Sequence, residues 1–211
     1  MKTTAKLFKL LMVLVFAFSL SGCFTYAAMT ATKAVSDAIP PSEEEKLRTQ
    51  KKLFGKYKPS ETNSAIIRKL FAGKTVSVGD FDTPDTRISQ LSCRLIFHVG
   101  PPVGYTFGSY IRSSLISELD IAGVYNEASN VTLSGNLKDA SFSFGSWKFV
   151  LEVTSSNGKV INVSTEYPID TPIFGFAGEK GCERTQDAFG PAIEDLMTKL
   201  INSPHFEELL K

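Results

Sequence analysis

The spacing of apolar residues changes character several times along the chain. Leu10 to Leu20 is almost wholly apolar and follows three lysines, Lys2, Lys6 and Lys9. A resident membrane helix needs about 20 apolar residues, so this run is too short to span. It matches the basic start, apolar centre and small-residue end of a signal peptide. The competing reading is an uncleaved anchor or a buried amphipathic helix, but residues 10–18 show no polar face. From residue 24 to about 62 apolar residues thin out. Pro40-Pro41 breaks that stretch, and Ser42 with Glu45 fits a capping box for a short helix from about 42 to 53. Too few apolar residues are present for a core, so the segment reads as a flexible tether.

Regular patterns begin near Ser64, the predicted start of a single domain running to Lys211. Ala65-Ile66-Ile67 with Leu70-Phe71 predicts a short helix stopping at Gly73. Thr75 to Phe81 alternates at period 2 and predicts a strand, and a second extended run lies within Leu91 to Val99. Gly100-Pro101-Pro102-Val103-Gly104 forces a loop. Phe107, Tyr110, Ile111, Leu115, Leu119 and Ala122 then recur at helical spacing, with Thr106 as cap and Gly123 as stop. Arg112, Ser113, Glu118 and Asp120 are expected to turn mostly outward.

After Gly123 the period returns to 2. Val131 to Leu137 predicts a strand that Phe142 extends past a bulge near Lys138-Asp139. Trp147, Phe149, Leu151 and Val153 alternate through the next strand. Asn157-Gly158 predicts a tight hairpin with positive φ at both central positions, and Val160 to Tyr167 returns. The last helix carries Phe189, Ile193, Leu196, Met197, Leu200 and Ile201, with Pro191 near its start or at a bend. Ser203-Pro204 interrupts it, and Phe206, Leu209 and Leu210 make a final apolar turn. The order β(β)αβββα with a hairpin predicts an α+β domain: a mainly antiparallel sheet of four or five strands with two helices on one face.

Leu20-Ser21-Gly22-Cys23 resembles a bacterial lipobox. The resemblance implies cleavage before Cys23 and lipidation of its thiol, dividing the chain into a leader (1–22), a lipidated tether (23–63) and a domain (64–211). Ordinary secretory cleavage near Ala27-Ala28 is the alternative. Phe24 is not the Asp that retains sorted lipoproteins at the inner membrane. The resemblance therefore implies the periplasmic side of an outer membrane, or the cell membrane of a single-membrane host. Once Cys23 is set aside, Cys93 and Cys182 remain. In an oxidising compartment they are expected to form a disulfide, the alternative being two separate buried thiols.

The whole chain carries 23 basic and 22 acidic residues, and a 43% apolar share sufficient for a core. Removing the leader leaves 20 basic against 22 acidic residues, which argues against general nucleic-acid binding. Charge is uneven: Lys46 to Lys74 holds nine basic residues and one acid, Glu61, whereas the remainder is net acidic. The basic stretch is either a contact for anionic headgroups or a solvated linker offsetting an acidic domain.

No phosphate loop, dinucleotide fingerprint or Gly-x-Ser-x-Gly elbow is present. Neither His98 nor His205 has metal-ligand spacing, so no metal and no cofactor are expected. A hydrolase centred on His98, with Asp80 or Asp82 orienting it, lacks a defined nucleophile. Catalysis is therefore not expected. Tyr105, Phe174 and Phe176 lie in apolar, glycine-rich loops that are either structural plugs or a contact surface.

The element order over residues 75–202 resembles small envelope lipoproteins. Among these are domains similar to the amino-terminal domain of TolB, the lipopolysaccharide-assembly lipoprotein, and auxiliary lipoproteins of envelope ABC transporters. Cys93-Arg94, Tyr110-Ile111-Arg112, Glu118-Leu119 with Ala122-Gly123, and Asn157-Gly158 also look like uncharacterised bacterial lipoproteins. These resemblances imply a lipid-anchored, non-enzymatic accessory protein with another envelope protein as partner. A lipid- or glycan-binding module, using a cleft lined by Phe142, Phe144 and Trp147, is the alternative.

Overall fold

Period-2 alternation between residues 132 and 167 builds the centre of the domain. In the computed structural model, residues 57–83, 89–94, 97–143, 145–170 and 179–211 are described, all within one compact unit, Leu47–Lys211. Strands β4 (Thr132–Phe142), β5 (Ser146–Ser155) and β6 (Val160–Pro168) form an antiparallel meander. On β5, Trp147, Phe149, Leu151 and Val153 are fully buried, while Lys148 is exposed and Val150 and Glu152 are half-buried. One sheet face therefore carries the core. The other is polar, crossed by ion pairs from Lys138 to Glu152 and from Lys148 to Asp139.

The sheet is mixed rather than wholly antiparallel. Strand β1 (Ser77–Asp82) pairs in parallel with β4, giving the order β1-β4-β5-β6. Helix α2 makes this possible by carrying the chain back between two strands that run in one direction. The extended run at Leu91–Val99 does not join this sheet. It divides at Arg94, which has φ +53°, into β2 (Leu91–Cys93) and β3 (Phe97–Val99), paired as a separate two-stranded ribbon.

Helix α1 spans Glu61–Phe71, capped by the Ser60 side chain on the Asn63 N–H. Residues 61–63, expected in the tether, are thus already helical. Helix α2 (Phe107–Ile121) has the expected Thr106 cap, completed by Ser109, and packs hard on β1. A Cβ at Gly108 would overlap the Phe81 carbonyl, so this contact requires glycine. Helices α3 (Glu179–Asp187) and α4 (Phe189–Ile201) follow, then a 3₁₀ turn at Phe206–Leu210. Pro191 sits in the first turn of α4, where backbone N–H groups have no intrahelical acceptor to lose.

The 155–159 hairpin differs from expectation in one respect. Gly158 has φ +83°, but Asn157 does not share a positive φ. Its side chain is committed elsewhere, with Nδ2 donating to the Leu209 carbonyl at 3.0 Å and Oδ1 accepting from the Lys159 N–H at 3.1 Å. The bulge in β4 falls between Leu137 and Asp139, where the sequence places it. The expected helix at 42–53 lies outside the described residues.

Candidate functional site

Helical spacing puts Ile111, Leu115, Glu118 and Ala122 on one stripe of α2, so a carboxylate stands among apolar neighbours. Glu118, expected to face outward, is completely buried. Its Oε1 accepts from the Tyr57 hydroxyl at 2.5 Å, the Ser60 N–H at 3.1 Å and Asn63 Nδ2 at 3.1 Å. All three donors come from the residues that lead into and open α1. Asn63 Nδ2 also donates to Thr198 Oγ1 on α4, so one amide ties three helices together. Glu118 Oε2 and Ser64 Oγ have no hydrogen-bond partner among the described residues.

Burial and the adjacent Glu118 carboxylate hold the Tyr57 hydroxyl far above its ordinary titration range, so it stays a donor at physiological pH. Partial burial and Glu118 raise Glu194 on α4, against a lowering pull from Lys58. Burial and then Glu194 raise Tyr110. Tyr57, Tyr110, Glu118 and Glu194 thus form one electrostatic neighbourhood around the start of α1. Glu118→Ala removes the common acceptor and leaves buried donors unpaired, at about 1–3 kcal/mol for each group. We expect a total loss of about 3 kcal/mol in urea denaturation and loss of amide-exchange protection concentrated in α1. Glu118→Gln retains an acceptor oxygen and should lose less.

Arg112, also expected outward, donates from Nε to the Gly79 carbonyl at 2.8 Å and from Nη2 to the Val78 carbonyl at 2.9 Å. The register shift between Val78 and Phe81 leaves both carbonyls to one guanidinium.

The loop between β3 and α2 has two halves. Gly100 and Pro101 are buried, and the Gln186 amide grips Gly100 at both ends, accepting its N–H at 2.8 Å and donating to its carbonyl at 2.9 Å. The disulfide between Cys93 and Cys182, with Cα atoms 5.9 Å apart, ties the β2–β3 ribbon to α3 beside this grip. The tip is open: Val103 is 49% exposed and Tyr105 40% exposed, its ring edge-on to Tyr110 at 5.6 Å. The loop is therefore buried at its base and exposed at its tip.

His98 is exposed on β3, and no hydrogen bond or ion pair joins it to Asp80 or Asp82. Thr165 Oγ1 bonds both Asp195 and Lys199, and those two form an ion pair at 2.8 Å. The threonine is only 3% exposed, and its lysine is neutralised by the aspartate, so the trio reads as a tie between β6 and α4. Among the described residues, no three His, Cys, Asp or Glu side chains could share a metal ion. No helix among them is long and apolar enough to cross a membrane.

Of the residues singled out from sequence, Cys93, Cys182 and Tyr105 take the positions just given. Cys23, Phe174 and Phe176 lie outside the described residues, as does Phe144. Trp147 does not line a cleft. It is fully buried, and its indole N–H donates to the Thr185 carbonyl at 2.6 Å, while Phe142 packs half-buried against it.

No protein-family model matches the chain, and no curated protein matches it in sequence. Among solved structures, it is similar in fold to the crystal structure of protein XCC0632 from Xanthomonas campestris, of the DUF330 family. The TM-score is 0.47 at 9% identity, over 64% of this chain and 85% of that one.

Proposed function

We propose that this chain is a lipid-anchored accessory protein of a bacterial cell envelope, held through Cys23 on the periplasmic side of the outer membrane. In a host with a single membrane, the cell membrane takes that place. Its task is contact with another envelope protein rather than catalysis. The observation that carries the reading is the pairing of Cys93 with Cys182. A disulfide of this kind persists in oxidising compartments. With those two paired, the third cysteine of the sequence is Cys23, at the end of Leu20-Ser21-Gly22-Cys23.

Anchoring is tested with Cys23→Ala in cells. The variant should lose incorporation of an alkyne-tagged fatty acid and move from the detergent-rich to the aqueous phase. Unchanged membrane attachment with processing at the same bond would overturn the reading. In-cell photocrosslinking from Tyr105 and from Ser164, on the open sheet face, tests the partner. A reproducible protein adduct from either position supports a protein contact, and the absence of any adduct counts against it.

A further inference from the structure

We propose that two copies of this chain pair through the outer edge of β6, antiparallel about a two-fold axis at Ser164, to make one continuous sheet. The pairing does not depend on an anchor at Cys23. The outer edge is set by the hairpin register. The Ser155 N–H donates to the Lys159 carbonyl and the Ile169 N–H to the Gly145 carbonyl, each at 2.8 Å. In that register the odd-numbered residues of β6 bond β5. The N–H and carbonyl groups of Val160, Asn162, Ser164 and Glu166 therefore point away from the sheet. They have no hydrogen-bond partner among the described residues, and the residues that carry them are exposed.

The two edges of the sheet differ. Strand β1 is shifted in register, and Arg112 occupies its Val78 and Gly79 carbonyls. Strand β6 runs nine residues with no register shift, no lysine and no proline before its last residue. It thus lacks the bulges, lysines and internal prolines that keep an edge from pairing. The side chains on the solvent face identify the occupant. With Ser164 opposite its own copy, Asn162 faces Glu166, and Val160, 51% exposed, faces Pro168. Hydroxyl meets hydroxyl, amide meets carboxylate and apolar meets apolar, with no like charges opposed. Glu166 Oε1 accepts from Ser146 Oγ at 3.0 Å, which leaves Oε2 for the amide. An axis at Val163 would instead set Glu166 against Val160. Beneath the sheet, Thr165 bonds the partly exposed Asp195–Lys199 ion pair of α4. The axis sets that pair beside its own copy in reverse order, carboxylate toward ammonium. The edge is therefore complementary to itself, as a two-fold interface requires.

The test uses the chain following residue 23, which contains every described residue, in sedimentation velocity over a concentration series. A monomer–dimer equilibrium is expected. Ser164→Pro removes the donors of the central pair without touching a bond to β5, and should weaken association about tenfold or more. Ser164→Lys and Ser164→Glu set like charges across the axis, and each should weaken association. An equimolar mixture of those two should recover it. Position 164 is exposed, so the lysine and glutamate variants should unfold thermally as the parent does.

A parent protein that stays monomeric throughout the series overturns the proposal, as does a dimer that all three variants leave unchanged. Weakening by both charges with no recovery in the mixture overturns the axis at Ser164. In cells, photocrosslinking from Ser164 should yield an adduct of two copies. An adduct exclusively to a different protein at that position overturns the self-pairing while supporting an envelope partner, so the two readings fail separately.

Discussion

Trp147→Ala will destabilise the domain by about 4 kcal/mol, within the range for emptying a large aromatic site in a packed core. Trp147 is the largest fully buried side chain. It stacks on Phe149 at 5.5 Å and 9°, and meets Phe189 at 5.4 Å, Phe142 at 5.3 Å and Phe107 at 6.3 Å. These rings come from β4, β5, α2 and α4, so the tryptophan links every layer of the core. Alanine also strips the Thr185 carbonyl of its donor. Trp147→Phe restores much of the packing but not that hydrogen bond, and should lose about 1–3 kcal/mol. Phe142→Ala, at a half-buried position, should lose less than Trp147→Ala. Urea denaturation followed by circular dichroism reads all three, and an unchanged slope identifies a change in stability alone. A midpoint for Trp147→Ala close to that of the parent would contradict the central place given to this residue.

Removing the disulfide should have a comparable effect by a different route. Cys93 and Cys182 are 89 residues apart, and closing so long a loop is worth on the order of 4–5 kcal/mol in the chain-entropy picture. Most of that difference resides in the unfolded chain, whereas the Trp147 effect resides in the folded one. Reduction with dithiothreitol, or Cys93→Ala with Cys182→Ala, should lower the urea midpoint. It should also raise the slope, because the unbridged chain exposes more surface when it unfolds. Locally, amide protection should fall around Gly100, since Gln186 then holds the loop without the covalent brace. A reduced protein with the parent's midpoint would show that the bond contributes nothing to the fold.

The contrast between legible and hidden features turns on particular residues. Phe107 to Ala122, and the alternating runs at 132–142 and 147–167, are long and periodic enough that local pattern and tertiary burial agree. Thr106, Gly158 and the Leu137–Asp139 bulge were legible because caps, turns and bulges depend on a few adjacent residues. Glu118 and Arg112 were misplaced because polarity suggested solvent. The outcome depended on donors 55 to 61 residues away and on two carbonyls of β1. The 3–4 spacing of Glu118 with Leu115 and Ala122 was the available signal. Trp147, taken as a possible cleft residue, lies on the core face of its strand together with Phe149, Leu151 and Val153.

The order of the main elements, the class of the domain and the cysteine parity follow from composition and short-range periodicity. These features need only local propensity and burial. The parallel seat of β1, the separation of the β2–β3 ribbon, the fastening of Tyr57, Ser60 and Asn63 on Glu118, and the division of one loop into a buried base and an exposed tip were decided only by folding. Each depends on which distant surfaces meet and on where buried polar groups find their partners.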